Sequence, residues 1–393
     1  MKILKYIVAL CMAASSLSSF AGQIAGKNIL LIQGYWPTHI AADPGDNGKE
    51  DGYRYWGTSE LYNGGNGIVR HGDGSINQTA DPHARILYYD SGKHLTGPGN
   101  NGELVANQLQ EIFADTPNFC VDGCVLVLHS TGDIVMRYVM DPQNASLLGD
   151  YANNLNIDAV IAMAGAGGGT DLANIGVDLF NGINYGSTIA NAISDWIGAD
   201  ITLPSTRIGM TYELQPEIAR GLAASGTSNS IPNLRIAGTG DELFGLVTHP
   251  LITGGDDSVV PLHSACGSNR EESIDSCVSD LAVDGRVKYV SKHPSGYYDY
   301  YYPIIMSENT PHNNMPQSIN IWSFQNLLVL PWFVDGHPMT FALSNANQYE
   351  NSGNASIDVD VEYHHHWSWF KKYRYITNAS RKSMSEVILD SFE

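Results

Sequence analysis

Short apolar runs recur along this chain, and their hydrophobicity is continuous rather than alternating. A strand needs continuous apolar sequence when both faces of its sheet are covered. Between two of these runs, residues 101–116 carry apolar side chains at helical spacing. Strands that alternate with helices predict an α/β fold with a mostly parallel sheet. The predicted strands are residues 27–34, 84–90, 124–129, 157–165, 233–241 and 285–291.

The N-terminal residues 1–21 have the pattern of a secretory signal peptide. Lys2 and Lys5 precede an apolar core, and small residues end the segment at Ala21. The core is shorter than the roughly 20 apolar residues that span a bilayer. We therefore expect an exported protein, secreted or periplasmic, without a transmembrane segment.

The rest of the chain is long enough for one large domain with insertions. We assign residues 22–335 to that domain and 336–393 to a C-terminal extension, where alternating strand sequence and aromatic residues prevail. Residues 171–232 are amphipathic and helix-like, whereas 35–83 are polar and Gly-rich. Long insertions of this kind usually lie over the strand ends. The histidines 364–366 of the extension are expected to serve packing or the surface.

The charge of the chain limits the classes of binding partner that we expect. The 41 acidic residues outnumber the 21 basic ones, and the formal net charge is -20. Such a surface disfavours nucleic acids and anionic membranes.

Four cysteines follow the signal peptide, an even number that predicts disulfides in an exported chain. The pairs Cys120–Cys124 and Cys266–Cys277 close the shortest loops and are the expected connectivity, with a poorly spaced metal site as the alternative.

Residues 124–135, CVLVLHSTGDIV, lead from a predicted strand through Ser130 into a helix-like run. A strand, a sharp turn with a serine at its apex, and a helix form a nucleophile elbow. The helix N-terminus then points to the place where negative charge develops during acyl transfer. The residues two before and two after the serine are normally small; Gly132 fits this pattern and Leu128 does not. The alternative is a chance His-Ser-x-Gly at a strand end.

Two further segments resemble those of bacterial lipases. Gly34-Tyr35 follows the first long strand, as does the lipase segment whose backbone amide helps to bind the oxyanion. Residues 160–174 are similar to the segment that leads into the lipase lid, although the usual Pro-His pair is missing. The resemblance implies an oxyanion hole made by the amides of Tyr35 and Thr131.

Residues 27–330 thus resemble exported lipases and esterases of the α/β-hydrolase superfamily. Lipase-like polyhydroxyalkanoate depolymerases are a close variant. The resemblance implies an α/β-hydrolase fold, with a mostly parallel central sheet flanked by helices. It also implies that residues 171–232 form a helical cap or lid.

The resemblance implies a catalytic order of Ser, then Asp or Glu, then His. A serine hydroxyl needs a histidine to take its proton and a carboxylate to orient that histidine. In GGDDSVV, Asp257 aligns with the lipase aspartate and Ser258 with its glycine; Asp241 is the competing acid. His312, after the last predicted strand of the domain, is the expected base, and His293 is its rival.

These residues predict a carboxylic ester hydrolase that uses a Ser-His-Asp triad and an acyl-enzyme, with neither cofactor nor metal. The expected substrate is an ester or lipid, at an interface or on a polymer surface. The alternatives are a polyhydroxyalkanoate depolymerase, another serine hydrolase such as an acyltransferase or peptidase, and a non-catalytic adhesion protein on a decayed hydrolase fold. Acyl-chain length and oligomeric state are not encoded in these motifs.

Overall fold

The structure is a computed structural model. The predicted signal peptide, the C-terminal half of the second predicted cysteine pair (Cys277), and the rival site residues Asp241 and His293 lie outside the residues that it describes. The described residues are 23–24, 26–41, 44–45, 47–56, 83–197, 207–225, 231, 233–238, 245–266, 286–288, 301–307, 312, 340–342, 358–365 and 372–376.

Parallel strands form the centre of the sheet, in the order β3-β2-β4-β5-β6-β8. Helices lie between successive strands along the chain, so the predicted α/β architecture with a mostly parallel sheet is confirmed. The strands are β2 Lys27–Ile32, β3 Ala84–Leu87, β4 Cys124–His129, β5 Ile157–Met163, β6 Asn233–Gly238 and β8 Tyr301–Ser307.

Strand β4 lies inside the sheet, with β2 on one side and β5 on the other. Every residue of β4 and of β5 is buried, as their continuous apolar sequences require. The carboxyl ends of parallel strands meet at one edge, where α/β proteins place their ligands. Any chemistry carried by the residue after β4 therefore takes place at the middle of this edge.

The outer strands are antiparallel. The predicted strand at 285–291 is present as β7, which runs antiparallel to β8. Apolar content does not encode strand direction, which depends on the connection between the strands. The alternating strand sequence predicted in the C-terminal extension is present as β10. The antiparallel strands are β1 Gln23–Ile24, β7 Arg286–Lys288, β9 Thr340–Ala342, β10 Asp358–His365 and β11 Lys372–Ile376.

The predicted helix at 101–116 is present as α3, and a helix follows Ser130 as α4. Among the described helices, none is both long and apolar enough to cross a bilayer. The helices are α1 Thr38–Ala41, α2 Asn47–Trp56, α3 Asn101–Asp115, α4 Gly132–Met140, α5 Asp171–Phe180, α6 Ser187–Ile197, α7 Met210–Glu213, α8 Pro216–Ser225, α9 Gly245–Thr248 and α10 Leu262–Ala265, with 3₁₀ helices at Pro142–Asn154 and His249–Leu251.

Helices α1 and α2 form where the sequence lacks strong helical periodicity. Contacts with the sheet explain α2: Trp56 is fully buried, and a Cβ on Gly52 would lie 2.9 Å from the Cβ of Tyr88. Tertiary packing of this kind commonly outweighs intrinsic propensity. Helix α2 also brings Tyr55 to the edge where β4 ends, a placement with consequences for the site.

The insertion 171–232, called the cap insertion below, is helical as expected and contains α5 to α8. Its helices pack closely, because a Cβ on Gly176 of α5 would lie 3.1 Å from Ile197 and 3.4 Å from the methyl group of Thr211. Large apolar side chains at the end of α5 and after it remain in solvent: Phe180, Ile183 and Tyr185.

A disulfide joins Cys120 and Cys124, as predicted from their spacing. It ties the turn before β4 to the first residue of that strand. Cys266 is also disulfide-bonded, while its predicted partner lies outside the described residues.

Gly132→Ala is expected to lower the free energy of unfolding by about 1–3 kcal/mol. The added Cβ would lie 2.7 Å from the carbonyl oxygen of Gln33, a main-chain atom of the residue directly after β2. Gly221→Ala is the control, since its Cβ would meet nothing within 4 Å on an exposed helical surface. It should raise stability by about 0.5–1 kcal/mol. Urea unfolding measures both, and equal effects at the two positions would contradict the packing argument.

Candidate active site

Ser130 lies at the bend between β4 and α4, with a left-handed φ of 53°. Such a backbone costs about 1–3 kcal/mol in a residue other than glycine and persists only where the surroundings impose it. Here the Ser130 amide donates to the Met163 carbonyl at 3.0 Å, and the Ser130 carbonyl accepts from the Ala166 amide at 2.9 Å. Neighbouring strand β5 therefore fixes the bend, which has the geometry of the predicted nucleophile elbow.

The small residue two positions after the serine has a structural reason. Gly132 passes so close to the end of β2 that a side chain would meet the Gln33 carbonyl oxygen and the Ile32 side chain. Leu128, two positions before the serine, departs from the lipase pattern. It is accommodated as a fully buried residue of the core.

The structure brings the predicted acid and base together. The Nδ1 atom of His312 lies 2.8 Å from Oδ2 of Asp257, and the His312 amide donates to the Asp257 carbonyl at 3.2 Å. The other carboxylate oxygen of Asp257 accepts from the amides of Val259 at 3.2 Å and Val260 at 2.8 Å. Both side chains are buried, so the pair is held in one orientation by several hydrogen bonds.

Ser258 stands where the lipase pattern has glycine, and its φ of 79° shows why glycine is usual there. Its amide donates to Oδ1 of Asp256 at 2.7 Å, which helps to hold the turn. The backbone of the turn is thus the one that the lipase pattern implies, although its residue is different.

His129 links the elbow to the base, a contact that the sequence analysis did not predict. Its Nε2 lies 3.0 Å from the carbonyl oxygen of His312, and the two rings are 4.6 Å apart between centroids. Burial lowers the pKa of His129 well below its ordinary value, and the neighbouring His312 lowers it further. A neutral His129 that donates from Nε2 accepts at Nδ1, where the Tyr55 hydroxyl is bonded.

The predicted oxyanion donors lie on either side of the elbow. A Cβ on Gly34 would be 2.8 Å from the Cβ of Ser130, so the Gly34-Tyr35 segment passes directly beside the serine. Thr131 is the N-cap residue of α4. Among the described residues, neither the Tyr35 amide nor the Thr131 amide donates to a protein acceptor. Two unpaired amides beside a strained serine are what an oxyanion site requires.

Ser130 forms an elbow directly after an inner strand of a parallel sheet. Later segments of the chain supply the Asp257–His312 pair. The chain has the α/β-hydrolase fold. Its strand order and its elbow, rather than its overall composition, carry this assignment.

Three bacterial lipases are among the solved structures to which the chain is similar. The mature lipase BlEst2 of Bacillus licheniformis is 15% identical, with a TM-score of 0.43, over 79% of this chain and 98% of that one. Lipase 1 from Pelosinus fermentans is 13% identical, with a TM-score of 0.41, over 78% and 100%. The Staphylococcus hyicus lipase is 10% identical, with a TM-score of 0.36, over 74% and 88%. No protein-family model matches the chain, and no curated protein does so either.

Two other histidines near the acid loop have partners of their own. The Nδ1 atom of His249 is bonded to Oδ1 of Asp256 at 2.5 Å. The Nδ1 atom of His263 accepts from Nη2 of Arg220 at 2.7 Å. Burial, followed by the Arg220 charge, lowers the pKa of His263 to about 3. Neither histidine is paired with Asp257, whose imidazole partner is His312.

A buried ion cluster lies behind the elbow and was also not predicted. Oδ1 of Asp133 is 2.6 Å from Nε of Arg137, and its Oδ2 is 3.4 Å from Nη1 of Arg235. Burial would raise the pKa of Asp133, but the two arginines outweigh it and hold this pKa below its ordinary value. An arginine inside a predicted buried strand was the available signal, because a buried charge needs a partner.

The described residues contain no group of three or more His, Cys, Asp or Glu side chains arranged to hold a metal ion.

The neutral histidines predict how stability depends on pH. In the unfolded chain, His263 binds a proton near pH 6.5; in the folded chain it does so near pH 3. The unfolded state thus binds more protons between these values, and the free energy of unfolding falls as pH falls below 6.5. Denaturant unfolding between pH 7.5 and 4.5 should show this loss. In His263→Gln the slope should be shallower, and an unchanged slope would contradict the assignment.

Proposed function

We propose that this protein is an exported serine hydrolase that cleaves carboxylic esters, of the lipase or esterase type. The observation that carries the proposal is the buried Asp257–His312 pair, whose histidine carbonyl is bonded to the residue directly before Ser130. Hydrogen bonds thereby link Asp257, His312 and His129, which are far apart in sequence, beside one strained bend. A structural ion pair would need neither the elbow nor the unpaired amides beside it.

The first half of the proposed reaction leads to an acyl-enzyme through a tetrahedral intermediate. The hydroxyl oxygen of Ser130 attacks the ester carbonyl carbon, and Nε2 of His312 takes the hydroxyl proton. Asp257 accepts a hydrogen bond from Nδ1, which holds the tautomer whose Nε2 carries no proton and stabilises the imidazolium that forms. The amides of Tyr35 and Thr131 donate to the oxyanion of the tetrahedral intermediate.

The intermediate then collapses and the ester C–O bond breaks. The alcohol leaves with the proton from Nε2 of His312, and the acyl group remains on Ser130. Water attacks the acyl carbon while His312 takes one of its protons. The carboxylic acid is released, and the Ser130 hydroxyl regains its proton from His312. Atoms and charges balance over the cycle without a cofactor.

Apolar surface on the cap insertion supports an apolar ester substrate. The exposed side chains Phe180, Ile183 and Tyr185 lie together in sequence at the end of α5. Exposed apolar groups that lie together favour contact with lipid or polymer surfaces. The predicted signal peptide supports export. An exported enzyme would meet substrates of this kind outside the cell.

Ser130→Ala and His312→Ala should each abolish turnover of p-nitrophenyl butyrate, and a fluorophosphonate should label the wild type at Ser130 alone. Asp257→Asn should lower kcat by about 10⁴-fold, because the amide favours the wrong histidine tautomer. Asp256→Asn is the matched control on the adjacent carboxylate and should retain activity, since its oxygen can still accept from the Ser258 amide. Circular dichroism checks that each variant is folded. Labelling of active enzyme at another residue would contradict the assignment of Ser130 as the nucleophile.

Ile183→Asp should lower the rate on emulsified tributyrin while leaving the rate on dissolved p-nitrophenyl acetate unchanged. The carboxylate would be costly to bring to an apolar interface, but it lies on the surface of the cap insertion and should not affect folding. Lys93→Asp tests whether charge alone matters, because it makes a larger change in charge at a residue outside the cap insertion. Equal losses on the two substrates would argue against an interfacial role for the cap surface.

A further inference from the structure

The side chain of Tyr35 is held by the cap insertion. Its ring stacks on Trp196 of α6, with centroids 5.8 Å apart and planes 14° from parallel. Its hydroxyl is 2.8 Å from Oγ1 of Thr211 in α7, and both cap residues are buried. Burial raises the pKa of Tyr35 far above its ordinary value, so the hydroxyl remains protonated at any working pH. The residue whose backbone amide is proposed to bind the oxyanion is therefore fixed through its ring.

The part of the cap insertion that carries Thr211 is itself anchored to the turn after β3. Arg207 grips the carboxylate of Asp90 with two hydrogen bonds, of 3.0 and 2.9 Å. The Met210 amide donates to the Ser91 carbonyl at 3.0 Å. Gly209 has a φ of 38°, and a Cβ there would lie 2.4 Å from the same carbonyl oxygen. Close main-chain contact and a forked ion pair make residues 207–211 a rigid attachment.

Ser91 connects this attachment to the oxyanion segment. While its carbonyl accepts from Met210, its hydroxyl oxygen accepts from the Trp36 amide at 2.7 Å. The peptide that follows Tyr35 is thus held from the sheet side through Ser91, and the Tyr35 ring is held from the cap side through Thr211. Both contacts end on one segment, residues 207–211.

We propose that residues 207–211 are a positioning segment for the oxyanion site, with Thr211 as its principal positioning residue. This inference rests on the proposed function and adds a second role to the cap insertion: it holds a transition-state donor in place as well as covering the site. Interactions made only in the transition state change kcat, whereas those made equally with substrate change KM. Loosening Tyr35 should therefore lower kcat and leave KM nearly constant.

The test is a double-mutant cycle on Tyr35→Phe and Thr211→Val, each of which removes one hydroxyl and keeps the shape. Each single variant should lower kcat for p-nitrophenyl butyrate by about threefold to tenfold, which is the usual worth of one hydrogen bond. The double variant should be no slower than the slower single variant, because both changes remove the same bond. Asn174→Ala is the control: it removes the hydrogen bond that Asn174 accepts from Gln215 within the same insertion, and kcat should not change.

A second readout separates positioning from simple loss of structure. Affinity for a boronic acid, which forms a tetrahedral adduct on the serine, should fall by the same factor as kcat, while the KM values and the melting temperature of the Tyr35→Phe variant stay close to the wild type. Unchanged kcat in both single variants, a rise in KM alone, or additive losses in the double variant would each overturn the proposal. Failure of the proposed function would look different, since the wild type itself would then escape fluorophosphonate labelling at Ser130.

Discussion

At Ser130 the chain leaves a buried inner strand and enters a helix through a backbone conformation that an L-residue avoids. Two hydrogen bonds to the β5 side and two glycines without room for a side chain, Gly34 and Gly132, keep it there. The cost of the bend is about 1–3 kcal/mol, small beside the burial of strands on either side. Because the bend is rigid, groups from distant segments can be placed around it with constant geometry.

The elbow and the base are coupled through an imidazole that has no chemical role of its own. His129 donates to the main chain of His312 and accepts from Tyr55, so it joins α2, β4 and the histidine loop. Its lowered pKa keeps it neutral beside His312, which would become positively charged in the proposed acyl transfer. A charged His129 would oppose that positive charge, and a residue without a ring nitrogen could not donate to the His312 carbonyl.

The sequence was informative wherever a local pattern has one structural solution. Continuous apolar runs indicated where the strands lie. The order Ser130, Asp257, His312 followed from the resemblance of the sequence to lipases and esterases. Patterns were uninformative where long-range contacts decide: α2 forms because Gly52 and Trp56 pack on the sheet, and apolar content alone does not give the direction of β7. The Arg207–Asp90 contact joins residues 117 apart in sequence, and no local motif predicts it. The roles of the three triad residues remain predictions of chemistry, although the structure brings Asp257 and His312 together.

The order of the strands has a consequence for how the molecule matures. Strand β2 must find β4 across some 90 intervening residues, and β6 must find β8 across more than 60, before the elbow acquires its neighbours. Pairing over such distances in sequence makes folding slow. Slow folding of this kind fits the proposed export, since a polypeptide that crosses a membrane has to remain extended until it has passed through. The elbow acquires its neighbours only after these long-range pairings have formed, so the proposed nucleophile is assembled late in folding.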